Sequence, residues 1–387
     1  MAIRPARSLV LTAVAAFLCV LPGLSASAET LPEILVRTYQ SNPEMAAERA
    51  RLRGTDENIP QALAGYRPQI AAGLSAGIQG VRNLLPGGTT ETATLLPWQA
   101  GLTINQNLFN GFKTANTVRQ SEAQVRAGRE TLRNVEQNIL LDAVTAYMDV
   151  LSFQSLAESQ RVNVNFLRET LGTTRRRLEA GDVTPTDVAQ GEARLARATA
   201  DLNNAEVNMA VARAALDRIT ASMTGKLAAA DPVDRILPAA REEAIALARR
   251  EHPALLAATY NIDVAQFGVS IAQSGLYPTV NVQGSISRSS QTDTTLGTSQ
   301  TDQASLVAQA NVPIYDGGVA ASQTRQAKEG VNQSRAFMEQ VRKQTEAGVS
   351  AAWVTHQGAR VSMTAAESEV RAATVALAGV QKEAQAG

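Results

Sequence analysis

Residues Ala64 to Gln79 read Ala-Gly-Tyr-Arg-Pro-Gln-Ile-Ala-Ala-Gly-Leu-Ser-Ala-Gly-Ile-Gln. After Pro68, the apolar residues Ile70, Ala72, Leu74, Ala76 and Ile78 fall on one face of an extended segment, and Gln69, Gly73, Ser75 and Gln79 on the other. A period of two with one apolar face marks a half-buried strand. The opening of this stretch returns later, Gly65-Tyr66-Arg67-Pro68 as Gly275-Leu276-Tyr277-Pro278, at an offset of 210 residues.

Other matches flank that one in the same order. Ser41-Asn42-Pro43 recurs as Glu251-His252-Pro253 at the same offset, and Leu108-Phe109-Asn110-Gly111 as Ile314-Tyr315-Asp316-Gly317 at an offset of 206. Ordered self-similarity of this kind marks a duplicated structural unit. Each copy holds a second alternating segment. Trp98, Ala100, Leu102, Ile104 and Leu108 oppose Gln99, Thr103, Asn105 and Asn107 in the first copy. In the second copy, Val280, Val282 and Ile286 oppose Asn281, Gln283, Ser285 and Ser287, and Leu306, Ala308, Ala310 and Val312 oppose Ser305, Gln309 and Asn311. Strands are therefore expected at about 68–80, 96–108, 278–288 and 304–314, with polar outer loops at 82–91 and 288–303.

Two architectures share this alternation: bilayer-crossing strands with a polar lumen face, and a soluble antiparallel sheet laid on helices. Four strands cannot close a barrel, and an open edge in lipid leaves backbone groups unpaired at several kcal/mol each. Membrane strands would thus require several copies of the chain to share one barrel. No segment after the N-terminal stretch reads as a transmembrane helix.

Between the strand pairs the sequence is helical. No proline occurs between Pro97 and Pro185 or after Pro313, so long helices are expected at about 113–180, 186–220 and from about 318. The first would be roughly 100 Å long at 1.5 Å per residue. In the returning helix, Val188, Leu195, Leu202, Met209 and Leu216 recur every seven residues, and Gly191, Ala198, Ala205, Ala212 and Ile219 follow each by three. This is a coiled-coil seam with one position kept small. At the turn between the two helices, Gly181 suits a left-handed helix stop. Thr184, Pro185 and Asp187 suit a capping box.

Residues 1–28 read as a secretory signal: Arg4 and Arg7, the apolar run Leu9–Leu21, then Ala26-Ser27-Ala28. The only cysteine, Cys19, lies inside that run, so the exported chain carries no disulfide or thiolate. The remaining boundaries are a first unit at 29–225, a linker at 226–238 and a second unit at 239–387. Continuing the 206-residue offset carries Ala180-Gly181 onto Ala386-Gly387, so the second unit is expected to stop before its last helix.

Lys and Arg (36) balance Asp and Glu (36), which excludes the basic footprint of a nucleic-acid binder. The chain has two histidines, His252 and His356, both in helical context and without a carboxylate cluster. No enzymatic function, catalytic residue, metal site or cofactor is expected. The competing class is a periplasmic adaptor, which also carries a coiled-coil hairpin. It would show one hairpin between compact β domains rather than a duplicated hairpin unit.

Taken together, these features resemble the TolC outer-membrane efflux and secretion factor family. They are the signal, the duplicated helix–strand–strand–helix unit, Asn42-Pro43, Ala-Gly-Tyr-Arg-Pro68, Leu-Phe-Asn-Gly111 and the tip Ala-Gly-Asp-Val-Thr-Pro-Thr-Asp-Val188. The stretch Asp56–Pro68 is most similar to the type I secretion branch. The resemblance implies an α+β membrane protein, a homotrimer with a twelve-stranded β-barrel of four strands per protomer, continued by a long α-helical coiled-coil barrel. It implies a location in the cell outer membrane with a large periplasmic portion. The partners it implies are outer-membrane lipid, a periplasmic adaptor and an inner-membrane ABC or proton-driven transporter. Gly181, Thr184, Thr186 and Asp187 match the family's tip, a region of adaptor contact and gating.

Overall fold

The computed structural model describes residues 28–84, 86–230, 237–293 and 297–386. The expected signal peptide lies outside these residues except for Ala28. In chain order the elements are α1 (Leu31–Ser41), α2 (Pro43–Asp56), α3 (Asn58–Leu63), β1 (Gln69–Ala76), β2 (Gln79–Leu84), β3 (Thr90–Asn110), α4 (Lys113–Glu179), α5 (Pro185–Thr220), α6 (Arg241–Glu251), α7 (Pro253–Gln273), β4 (Thr279–Asp293), β5 (Gly297–Asn311) and α8 (Val319–Ala386). The duplication is visible in the elements: α1 and α6 have 11 residues each, and α4 and α8 have 67 and 68.

Compactness does not follow the duplication. One unit comprises the chain up to Ala46 with Val135–Ile236, and the other Ala47–Asn134 with Leu237–Gly387, so α4 contributes to both. Strands of both repeats pair in one sheet, which is why the sequence boundaries 29–225 and 239–387 do not bound compact bodies.

In the first unit, α1 packs against α4 and α5. Ile34, Ala143, Tyr147, Val150 and Leu216 are among its most buried residues. The fully buried Tyr147 places its hydroxyl 2.6 Å from the Ala228 carbonyl and 3.0 Å from that of Glu29. Glu29 in turn bridges Leu227 as a short parallel pair, with Glu29 N–H donating to the Lys226 carbonyl at 2.7 Å and Ala228 N–H to the Glu29 carbonyl at 2.9 Å. Within the segment expected to be a linker, Leu227 is therefore buried in the core, while Lys226 and Ala229 stay exposed; residues 231–236 lie outside the described set. Leu227 is buried in the same cluster as Tyr147, and that apolar contact holds the segment down.

The seam of the α4–α5 hairpin sets small residues of α5 against a mixed set of small and larger apolar residues on α4. Ala143, Val150, Ala157, Val164 and Leu171 are buried at seven-residue spacing on α4, and Ala198, Ala205 and Ala212 on α5. A Cβ at Gly191 would sit 3.0 Å from Leu171 Cδ1. Strict heptads with one small position per repeat, every second turn, bring two helices close over many turns. The larger set at Leu195, Leu202 and Met209 is only half-buried. Within α4, one eighteen-residue window is apolar enough to pass as a membrane span, contrary to the sequence expectation. Composition alone admits it.

In the second unit, the sheet runs β1-β3-β4-β5, with β2 also on β3, and all pairs are antiparallel. β1 and β2 are one strand interrupted. Ala76 faces Trp98 and Gln79 faces Leu95, so the register is unchanged across Gly77 and Ile78. Gly77 N–H donates to the Pro97 carbonyl at 2.9 Å, but Pro97 has no N–H to return. The amide and carbonyl of a strand residue point the same way, so this proline breaks the ladder toward β1 and leaves β4 continuous opposite it. The strand expected at 68–80 is accordingly split.

The other strands are longer at one end than the alternation suggests. β3 starts at Thr90, β4 runs to Asp293 and β5 starts at Gly297, so the expected loop at 288–303 is mostly ladder, while that at 82–91 keeps a turn at 86–89 between strand ends. Beyond Ile286, β4 turns polar on both faces, which erases the period-two signal without affecting backbone pairing. At the other end β5 stops at Asn311, two residues before Pro313.

Candidate functional site: a two-faced sheet and a hairpin tip

Register fixes which side chains share a face. Ile70, Ile104, Gly284 and Leu306 form one row across the sheet, and Ala72, Leu102, Ile286 and Ala304 the next. This face is apolar and open: Leu74 is 80% and Leu306 78% exposed. The opposite face carries Gln69, Asn105, Gln283 and Val307 in one row and Thr103, Ser285 and Ser305 in another. Ser285 and Ser305 hydroxyls meet at 2.8 Å. Amides and hydroxyls dominate this polar face between Gln69 and Ser75, Gln99 and Asn107, Asn281 and Gln291, and Ser299 and Asn311; no ionisable side chain occurs there. At its foot a recess of about 900 Å³ is lined by Arg67, Lys113, Gln69 and Gln309 among others.

The apolar face ends at a charged pair. Arg288 Nε donates to Asp302 Oδ1 at 2.6 Å and its Nη2 to Oδ2 at 2.8 Å, a two-pronged bridge directly across β4–β5. At the opposite border the rings of Phe109, Phe112 and Tyr277 stack edge to face, with centroids 5.3 and 6.3 Å apart. The turn beneath them is forced. Gly111 has φ +63°, and a Cβ there would lie 2.6 Å from the Ser274 carbonyl oxygen and 2.8 Å from Tyr277 Cβ. Its repeat counterpart, Gly317, also has positive φ, at +69°.

The helical hairpin tip is ordered by local hydrogen bonds. Gly181 takes φ +84°. Its N–H donates to the Leu178 carbonyl at 3.0 Å, and Asp182 N–H to that of Arg177 at 2.9 Å, the double bond of a Schellman stop. Thr184 then caps α5: its N–H donates to Asp187 Oδ2 at 2.8 Å, and Asp187 N–H returns to Thr184 Oγ1 at 3.3 Å. The Thr184 N–H and the Thr184 hydroxyl, which also donates to Asp187 Oδ2 at 2.7 Å, hold the Asp187 carboxyl below its ordinary range, the backbone bond contributing most. So Thr184 and Asp187 are in direct contact and Gly181 shapes the turn, while Thr186 is exposed beside them. Arg161–Glu206 (2.8 Å) and Arg175–Glu192 (2.6 Å) tie the two helices along their outside.

Three features were not anticipated from sequence: the alanine seats on α4, the Arg288–Asp302 bridge and the ties made by Asn42. The first was legible as a heptad running from Ala143 to Leu171. The second needed the strand register. Among the described residues no three His, Cys, Asp or Glu side chains gather as a metal site would require.

A sheet with one apolar and one polar face, in a chain that also carries a long paired-helix hairpin, fits the class of outer-membrane channels. Comparison gives the family. The description of the outer membrane efflux protein family matches residues 34–222 and 244–387. Outer membrane efflux protein BepC of Brucella suis is 37% identical over 386 residues, covering 99% of this chain and 82% of that protein. Outer membrane protein TolC of Vibrio cholerae is 27% identical over 307 residues, 78% of this chain and 68% of its own length. Among solved structures, the CusC channel superposes with a TM-score of 0.69 at 17% identity, over 85% of this chain and 76% of that one. The chain belongs to the outer membrane efflux protein family. It is an outer-membrane export channel with a periplasmic extension, and neither an enzyme nor a periplasmic adaptor.

Proposed function

We propose that three copies of the chain close their sheets into one twelve-stranded barrel in the outer membrane, continued through the periplasm by a long α-helical coiled-coil barrel. The observation that carries this reading is a sheet with an apolar and a polar face whose two outer edges, β1–β2 and β5, pair with no further strand among the described residues. Edges of that kind in lipid cost several kcal/mol per unpaired group, so closure by sister copies is the low-energy solution. The apolar face then meets lipid, and the amide- and hydroxyl-lined face meets water and cargo.

The duct is passive. Cargo enters at the α4–α5 tip, where Gly181, Thr184, Thr186 and Asp187 contact a periplasmic adaptor that couples to an inner-membrane ABC or proton-driven transporter. The adaptor opens the entrance by shifting coiled-coil packing between two arrangements. The similarity of Asp56–Pro68 to the type I secretion branch favours an exported polypeptide, with small-molecule efflux the second use.

The test is Asp187→Ala in the full chain. Heat-resistant trimers are expected to persist in outer-membrane fractions while export through the adaptor falls or resting conductance rises. Unchanged export and conductance would reduce Asp187 to a helix cap. Loss of trimers would assign it to assembly.

A further inference from the structure

The internal duplication specifies how the open edges meet. Within one chain, the β1–β3 hairpin is repeated as β4–β5, and the two hairpins join through β3 and β4. Applying the two repeat offsets turns β3 into β5 and β4 into β1–β2. Ile104 opposite Gly284 then becomes Ala310 opposite Leu74, and Leu96 opposite Thr292 becomes Asp302 opposite Arg82. We propose that β5 pairs antiparallel with the β1–β2 strand of a second copy in this inherited register, with Ser75 facing Gln309, Leu74 facing Ala310 and Arg82 facing Asp302. The proposal rests on the shared-barrel reading above and makes it specific.

The backbone is poised for this pairing. Gly77 donates to Pro97, so the odd-numbered residues of β1 direct their amides and carbonyls at β3 and the even-numbered ones at the open edge. By the same alternation through β3 and β4, the even-numbered residues of β5 face its open edge. In the inherited register even meets even, so donors and acceptors match along the whole junction.

The side chains agree. Ile78 meets Leu306, Ala76 meets Ala308 and Ala72 meets Val312 on the apolar face, while Gln79 meets Ser305 and Gly73 meets Asn311 on the polar one. A slip of one residue would set apolar against polar positions throughout. A slip of two keeps the faces but moves Arg82 opposite Ala304 or Gln300. Only the inherited register puts the exposed Arg82 across from Asp302, whose carboxylate already accepts Arg288 and has lone pairs left for a second guanidinium. Charge complementarity thus selects among the registers that hydrophobicity permits.

Ser75 and Gln309 would form a non-hydrogen-bonded pair, with Cα atoms about 4.5 Å apart, within the range a disulfide spans. The experiment uses the full chain in the outer membrane with Cys19→Ser, carrying Ser75→Cys and Gln309→Cys. Mild oxidation is expected to give covalent dimers and trimers on non-reducing denaturing gels, about tenfold more efficiently than Ser75→Cys with Val307→Cys or with Asn311→Cys, whose Cα atoms lie too far apart to bridge. Asn83→Cys with Thr301→Cys is the second pair, near the outer rim, should the first disturb assembly. Preferential cross-linking of a shifted pair, or native trimers without cross-linking at either inherited pair, would overturn the register. Absence of native trimers in the Cys19→Ser parent would overturn the shared barrel itself.

Discussion

Asn42 holds Ile219 from the far end of the helical hairpin: its Nδ2 donates to the Ile219 carbonyl at 2.9 Å, in a buried position. Its Oδ1 meanwhile accepts the N–H groups of Glu44 and Met45 at 2.9 and 3.1 Å, which caps α2. One side chain therefore starts a helix and anchors the end of α5. Asn42→Ala is expected to lose both functions and to destabilise the first unit by about 2 kcal/mol. Asn42→Asp keeps the cap but turns the buried donor into an acceptor facing a carbonyl, so it should not rescue. Denaturant unfolding followed by helical circular dichroism reads both.

Two glycines with positive φ separate conformational strain from collision. At Gly181 a Cβ would meet open space, so Gly181→Ala costs only the left-handed backbone penalty of about 1 kcal/mol. At Gly111 the same change adds a collision with the Ser274 backbone and Tyr277. Gly111→Ala is expected to lower the yield of heat-resistant trimers severely, and Gly181→Ala to leave it near wild type.

His252 occupies the cap position equivalent to Asn42. Its Nδ1 accepts the Ala254 N–H at 3.3 Å, which requires the neutral ring at the start of α7. Burial lowers its pKa below the ordinary 6.5. A base whose folded pKa is depressed lets the unfolded chain bind the proton first, so its stabilisation is present above 6.5 and is lost as pH falls through the folded value. His252→Asn, copying the first repeat, is expected to preserve stability at neutral pH and to flatten the decline on acidification. Thermal melting from pH 7.5 to 5 compares the two. An identical decline in the variant would remove His252 as its source.

The alanine seam predicts an asymmetry between buried small and half-buried large positions. Ala198 is 4% exposed against α4. Ala198→Leu should overpack the hairpin at a cost of about 1–3 kcal/mol, while Leu195→Met, at a half-buried seat, should cost less than about 1.5 kcal/mol. Amide exchange along α5 in the assembled protein would show the difference.

Features that depend only on neighbours along the chain are legible in the residues alone. Alternation from Ile70 to Ile78 gave a two-faced strand, proline-free runs gave rods, and Gly181 with Thr184 and Asp187 gave a capped turn, because pleat, helical period and capping are local. Three matters waited for the tertiary structure. The break between β1 and β2 arises from Pro97 on another strand, which withholds a hydrogen bond in a way that residues 69–84 themselves do not reveal. The ladder beyond Ile286 persists because backbone pairing ignores side-chain polarity, and Arg288 finds Asp302 only through that ladder. The segment around Leu227 is tied to the core because Tyr147 and Glu29, remote in sequence, supply its partners. Hydrogen-bond partners across strands and apolar contacts between distant segments are non-local, so they exist only once the chain has folded.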